Sequence, residues 1–212
     1  MIASGSFNRT PTDAEINFRS PLEARWAAFF DLMGWRWIYV RSDFERWTAD
    51  LVLRGVRQRV LVEVIDIRQA DEALFGRVSR GAIHAGNETD ILIVGAEPLW
   101  EVKNWGCPAF GWLGEYCGPD GGHGWGEAIV HDGGGLGFCH GVLSYRNRIT
   151  GQHDGDSGAG SEGYDDAIRR AWARAGNAVQ CQQDSASDSD SVIAIVDRAV
   201  RKASREKRSA AT

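Results

Sequence analysis

Apolar side chains at Leu22, Trp26, Phe29, Phe30 and Met33 recur every three or four residues, which predicts a helix with one stripe turned to a core. Ser20 can cap it, Pro21 suits its first turn, Glu23 favours the positive end, and Gly34 closes it. The period then shortens. Trp37–Val40, Trp47–Leu53 and Gln58–Ile67 read as three strands, the last two joined by a turn at Arg54-Gly55-Val56-Arg57. The third is so continuously aliphatic that both its faces should be covered. Ala70–Ala85 returns to helical spacing, and Asp90–Gly95 is a further buried strand. The order is αβββαβ, with connections short enough for one α/β unit.

After residue 104 the texture changes to Gly, Trp and His. Glu127–His131 and Leu136–Ile149 alternate around Gly133-Gly134-Gly135 like an antiparallel pair, and Asp165–Ala175 reads as a helix stopped by Gly176-Asn177. The chain therefore divides into a loose leader (1–15), an α/β core (16–104), a Gly/Trp/His-rich β-hairpin region with its closing helix (105–181), and a polar linker with a basic tail (182–212).

Composition narrows the class. A chain of 212 residues with 43% hydrophobic and 25% charged positions is that of an ordinary globular protein. No apolar run reaches the ~20 residues of a membrane span, and no export signal opens the chain, which predicts a cytoplasmic protein without a membrane partner. A net charge of −5 argues against a broadly basic nucleic-acid coat, though not against local phosphate contacts. Cys107, Cys117, Cys139 and Cys181 are widely spaced, which favours free thiols.

The chemistry lies in three acids. Asp50 stands on the second strand and Glu63 on the third, and the tight turn between those strands sets the two side by side. Glu63 sits among aliphatics, where an unpaired charge is costly. Glu23, on the helix leaning against these strands, can add a third carboxylate. Mg²⁺ accepts two or three such oxygens and keeps several waters, with Mn²⁺ as a substitute. An ion so held orients a water and offsets charge on a scissile phosphate.

Phe18–Tyr39 (FRSPLEARWAAFFDLMGWRWIY), Trp47–Leu53 (WTADLVL), Val60–Val64 (VLVEV) and, more weakly, Ala171–Gln180 (AWARAGNAVQ) resemble bacterial and phage members of the PD-(D/E)xK nuclease superfamily. The resemblance implies an α/β, restriction-endonuclease-like αβββαβ core with a central mixed sheet, plus a small Gly/Trp-rich β appendage and a C-terminal helix. It also implies Glu23, Asp50 and Glu63 as catalytic and metal-binding acids, Mg²⁺ as cofactor and DNA as partner. Two positions depart from the pattern. Ala49 stands where the family has Pro, and Ile65 where it has the lysine that positions the attacking water. Losing one transition-state charge partner typically costs ~10²–10³ in rate. The lysine nearest the core is Lys103, just past the fourth strand, while Arg68, Arg77 and Arg80 around the second helix can contact phosphate. Two functions follow: a metal-dependent deoxyribonuclease weakened at the lysine position, or a catalytically silent nuclease fold that binds DNA or protein, of phage or mobile-element origin.

Other residues carry competing readings. Cys107, Cys117, His123, His131, Cys139 and His140 lack the paired spacing of zinc sites, so β-hairpin packing outweighs zinc. Trp105, Trp112, Trp125 and Tyr145 beside Arg146 and Arg148 can stack on bases, but core packing is the stronger expectation. Arg25 is read as a structural clamp, and Arg198–Arg208 as a solvated basic tail.

Overall fold

The computed structural model describes residues 16–40, 49–65, 72–84, 89–99, 109–118, 120–131, 135–141, 144–153 and 166–180. Helix α1 (Pro21–Leu32) begins as its sequence predicts: Ser20 is extended, and its hydroxyl accepts the Glu23 N–H at 3.2 Å. Strands β1 (Arg36–Tyr39), β2 (Leu51–Arg54) and β3 (Arg59–Val64) follow, then α2 (Glu72–His84) and β4 (Asp90–Leu99). Strands β5 (Ala109–Tyr116), β6 (His123–His131) and β7 (Gly137–His140) complete the sheet, and α3 spans residues 166–180.

All seven strands form one sheet in chain order, β1 to β7. Every pairing is antiparallel except β3 with β4, the one pair joined by a helical crossover. The fold is thus mixed α/β with a mixed sheet, as expected. The separate β appendage is not found: β5 pairs with β4, so the Gly/Trp-rich strands continue the core sheet. The expected single stretch Leu136–Ile149 is also shorter. β7 ends at His140, and residues 144–153 fold back on it through a His140–Ser144 bridge.

Alternation along the strands sorts two cores. Leu51, Leu53, Val60, Val62, Leu92 and Val94 face α1 and α3, where Trp26, Phe29, Phe30, Trp35 and Trp172 form the main aromatic cluster. Trp26 and Trp172 lie 4.5 Å apart, and the Trp26 indole N–H donates to Gly95 O at 2.8 Å, so its one polar group is satisfied. On the opposite face Val52, Leu61, Ile91 and Ile93 meet Leu74, Val78 and Ala82 of α2. With both faces covered, the continuous aliphatic run of β3 is explained.

Two elements differ from expectation at glycines that lie close to a neighbouring group. β5 carries Gly111, where a Cβ would lie 2.0 Å from the Ile93 carbonyl oxygen, beside the irregularity in the β4–β5 pairing. α3 runs through Gly176 instead of stopping there, and the missing side chain leaves room for the Arg25 guanidinium, which a Cβ would approach to 3.0 Å. Arg25 is the clamp the sequence predicts: it lies 3.9 Å above the Trp172 ring and donates to Trp172 O at 3.2 Å. The leader, Lys103 and the basic tail lie outside the described residues. Among the described residues no helix is long and apolar enough to cross a membrane.

Candidate functional site

Glu23 and Asp50 are brought together at the end of the sheet where β1 finishes and β2 begins. The Glu23 carboxylate is held from three sides. Its Oε2 accepts the Arg19 backbone N–H at 3.0 Å and the Tyr39 hydroxyl at 2.8 Å, while Oε1 lies 3.5 Å from Arg19 Nε. Helix α1 supplies Glu23, and β1 supplies Tyr39 on the face that packs against α1.

Asp50 stands just before β2. Its backbone still follows the sheet: its N–H donates to Val62 O at 2.8 Å, and its carbonyl accepts from Val40 N–H at 3.0 Å. Its side chain then takes over a backbone role. The Ile65 N–H goes to Val94 O in β4, so by alternation the Val64 N–H points back toward β2, and Asp50 Oδ2 accepts it at 2.7 Å. An aspartate at this position, unfavourable in a strand, is stabilised because the carboxylate satisfies an orphaned amide. The second oxygen, Oδ1, is ion-paired with Arg19 Nη2.

The two acids thus share a pattern. Each has one oxygen fixed by N–H or O–H donors and the other turned to the same guanidinium. Both are buried, at 6% and 5% exposure, whereas the Arg19 side chain is 51% exposed. A charge pair in which the cation can leave and the anions cannot is chemically asymmetric. Two hard carboxylate oxygens converging on one cation position also fit a small divalent ion, which would complete its shell with water.

Glu63 follows Val62 on β3, next to the residue whose carbonyl receives the Asp50 N–H, and is half-buried with Ile93 as its β4 neighbour. Among the described residues no three His, Cys, Asp or Glu side chains form a group able to hold a metal on their own. Ile65 packs with the apolar cluster under α2. Arg77 and Arg80 lie exposed on α2, and Arg68 falls outside the described residues.

Arg19 and Tyr39 were missed from the sequence. A signal for the first existed, since Arg19 stands four residues before Glu23 on the approach to the helix. Tyr39 had none, because its reach to Glu23 depends on how β1 packs against α1.

A second polar cluster closes the other end of the sheet. Arg148, wholly buried, donates from Nε to Asp90 Oδ2 at 2.6 Å and places Nη2 at 3.4 Å from Glu115. Gln58 Nε2 and the Tyr116 N–H also donate to Asp90. Arg148 is therefore a structural pin and is not available to nucleic acid. Trp112 and Trp125 pack against Phe75 of α2, at 5.8 and 4.8 Å between ring centroids, in the core role expected for them. Of the Cys/His set, Cys139 packs with Ala109 and Ile129, Cys117 is exposed, and His123 bonds Ser79 and Thr89, while Cys107 lies outside the described residues.

No protein-family model, curated protein or solved structure matches this chain. Its fold is mixed α/β with a seven-stranded sheet, and it carries two buried carboxylates, Glu23 and Asp50, ion-paired with one arginine.

Proposed function

We propose that this protein is a metal-dependent phosphodiesterase of the PD-(D/E)xK nuclease type acting on DNA, with a restriction-endonuclease-like core formed by α1 to β4. One observation carries the reading: Glu23 and Asp50, both buried, direct one oxygen each at a single cation position held by an exposed arginine. Glu23 and Asp50 are the ion-holding pair, Glu63 is the neighbouring acid, and Mg²⁺ or Mn²⁺ is the cofactor. The ion supplies charge neutralisation at the scissile phosphate and a more acidic bound water. The chain's own residues hold the acids in place: Tyr39 and the Arg19 amide fix Glu23, and the Val64 amide fixes Asp50. The exposed Arg77 and Arg80 are the phosphate contacts.

A second reading, a catalytically silent nuclease fold that binds DNA or protein, is favoured by Ile65. At the place of the family lysine this apolar side chain packs under α2 and offers no charge to a developing oxyanion.

The test separates the two. Linear, circular and single-stranded DNA are incubated with Mg²⁺ or Mn²⁺, using the parent and Asp50→Asn, which keeps an acceptor for the Val64 amide but removes the charge. Calorimetry with Mn²⁺ alone is run in parallel. The nuclease reading expects cleavage that falls roughly a hundredfold or more in the variant, together with lost Mn²⁺ binding. Mn²⁺ binding without cleavage supports the silent fold. No Mn²⁺ binding by either protein removes the metal site from both.

A further inference from the structure

At the end of β1–β3 remote from the acid pair, the register sets three arginines in one row. Arg36 is the cross-strand partner of Arg54, and Arg54 is the partner of Arg59. All three are exposed. They alternate with Ile38, Val52 and Leu61, which pack beneath α2, so the row lies on the α2 side of the sheet. Arg57, exposed in the β2–β3 turn, adds a fourth positive charge.

Like charges directly opposite across strands destabilise a sheet, and acids are the usual remedy. None is used here. Among the described residues none of the four arginines forms an ion pair, although arginines elsewhere in the chain pair with Asp50, Asp90 and Glu115. In a chain of net charge −5, this is a local concentration of unneutralised positive charge. Beside it lies a groove of about 320 Å³ between Arg36 and Arg54, lined by Trp37, Ile38, Gly55 and Val56. Val56 is 81% exposed, so the groove has an apolar lip next to its charges.

We propose that this row binds the phosphodiester backbone of a nucleic acid, as a site separate from the Glu23–Asp50 pair. Neighbouring strands lie ~4.8 Å apart, so the three arginines span about 10 Å of sheet. Over that length B-DNA presents roughly six phosphate charges. A guanidinium matches phosphate oxygens in a bidentate manner, and its planar, weakly hydrated head suits a site beside apolar groups. An acidic protein segment offers no such regular line of charge. Arg54 is four residues from Asp50 along β2, about 13 Å at ~3.3 Å per residue. The two sites therefore meet different stretches of a bound polynucleotide. The inference rests on strand register and charge, and it stands whether or not the acid pair hydrolyses anything.

Binding of fluorescently labelled single-stranded and duplex DNA is measured by anisotropy in EDTA, across a salt series, so that cleavage plays no part. The parent is compared with R54Q and with R36Q/R54Q/R59Q. Each arginine removed should flatten the slope of log K against log salt by roughly 0.9 for duplex or 0.7 for single strand, and the triple variant by about 2–3 in total. At low salt the triple variant should bind tenfold or more weakly. Its melting temperature should be no lower than the parent's, because like-charge repulsion is relieved. The arm with the larger slope change identifies the form of nucleic acid bound. Unchanged slopes in R54Q and the triple variant would overturn the proposal. So would polyglutamate displacing DNA from the parent at equal charge concentration.

Discussion

Arg19 stands where its removal should have two opposite effects. Arg19→Gln leaves the buried Glu23 and Asp50 carboxylates facing one another with one oxygen each uncompensated. We expect a loss of about 1–3 kcal/mol in urea unfolding, toward the low end because the arginine is half-exposed. The same variant should gain a larger thermal stabilisation from added Mn²⁺ than the parent, since the ion no longer competes with a tethered cation; an equal or smaller gain would count against the shared cation position. Arg148 is the contrasting residue. It is wholly buried, so Arg148→Met leaves Asp90 without its cation and Glu115 with only the exposed Arg146 at 4.0 Å, and should cost about 3–5 kcal/mol by the same measurement. Asp50 was legible in the sequence because a carboxylate beside an aliphatic strand demands a partner, whereas Glu23, an ordinary acid for a helix start, was singled out by its place beside the other acids and by the resemblance. The partner was legible only in its i,i+4 spacing to Glu23. Arg19 reaches Asp50 across the gap between α1 and β2, a relation that no local spacing encodes.

At the scale of elements, periodicity located α1, α2 and the first four strands, with ends shifted by a few residues. β2 begins at Leu51 and not at Trp47, and β4 runs on through Pro98 to Leu99. β5 escaped because the packing that needs it also erases its signature. Gly111 lets β4 come close, and Gly114 lies under the Trp125 ring, so the strand reads as a glycine-rich loop. Gly111→Ala should therefore be far more damaging than an average surface change. The new methyl meets backbone, which cannot rotate away, and a cost of about 1–3 kcal/mol or more is expected in denaturant unfolding. A variant as stable as the parent would show that the β4–β5 pairing is looser than its register indicates. Gly176→Ala should be milder. There the obstacle is the end of a long side chain, and alanine regains about 1 kcal/mol of helix propensity.

For the whole molecule, acid sensitivity follows from two histidines. Burial lowers the pKa of His123 below its ordinary 6.5, partly offset by its bond to Thr89 and by Asp90. Burial also lowers that of His140, helped by the Arg148 charge and opposed by a bond to Gly124 and by Asp90 and Glu127. A histidine whose folded-state pKa is depressed resists protonation in the fold, so the unfolded chain takes up the proton first as pH falls. Stability should therefore be flat above neutrality, decline as pH drops through 6.5, and level off below the folded-state values. The urea midpoint measured between about pH 7.5 and 5.5 tests this, and His123→Gln should remove part of the slope. A midpoint that rises on acidification in this window would contradict the burial argument.

Because sheet order copies chain order, each strand pairs with the one made just before it, and loop closure is cheap at every step but the α2 crossover. A chain emerging from the ribosome can add strands one after another without waiting for a distant partner. α3 is the exception. Its Trp172 must return to Arg25, 147 positions upstream, so the aromatic cluster between α1 and the sheet stays partly open until α3 has been made. Until then the nascent protein exposes the greasy face of its first helix, which is the surface a chaperone would meet.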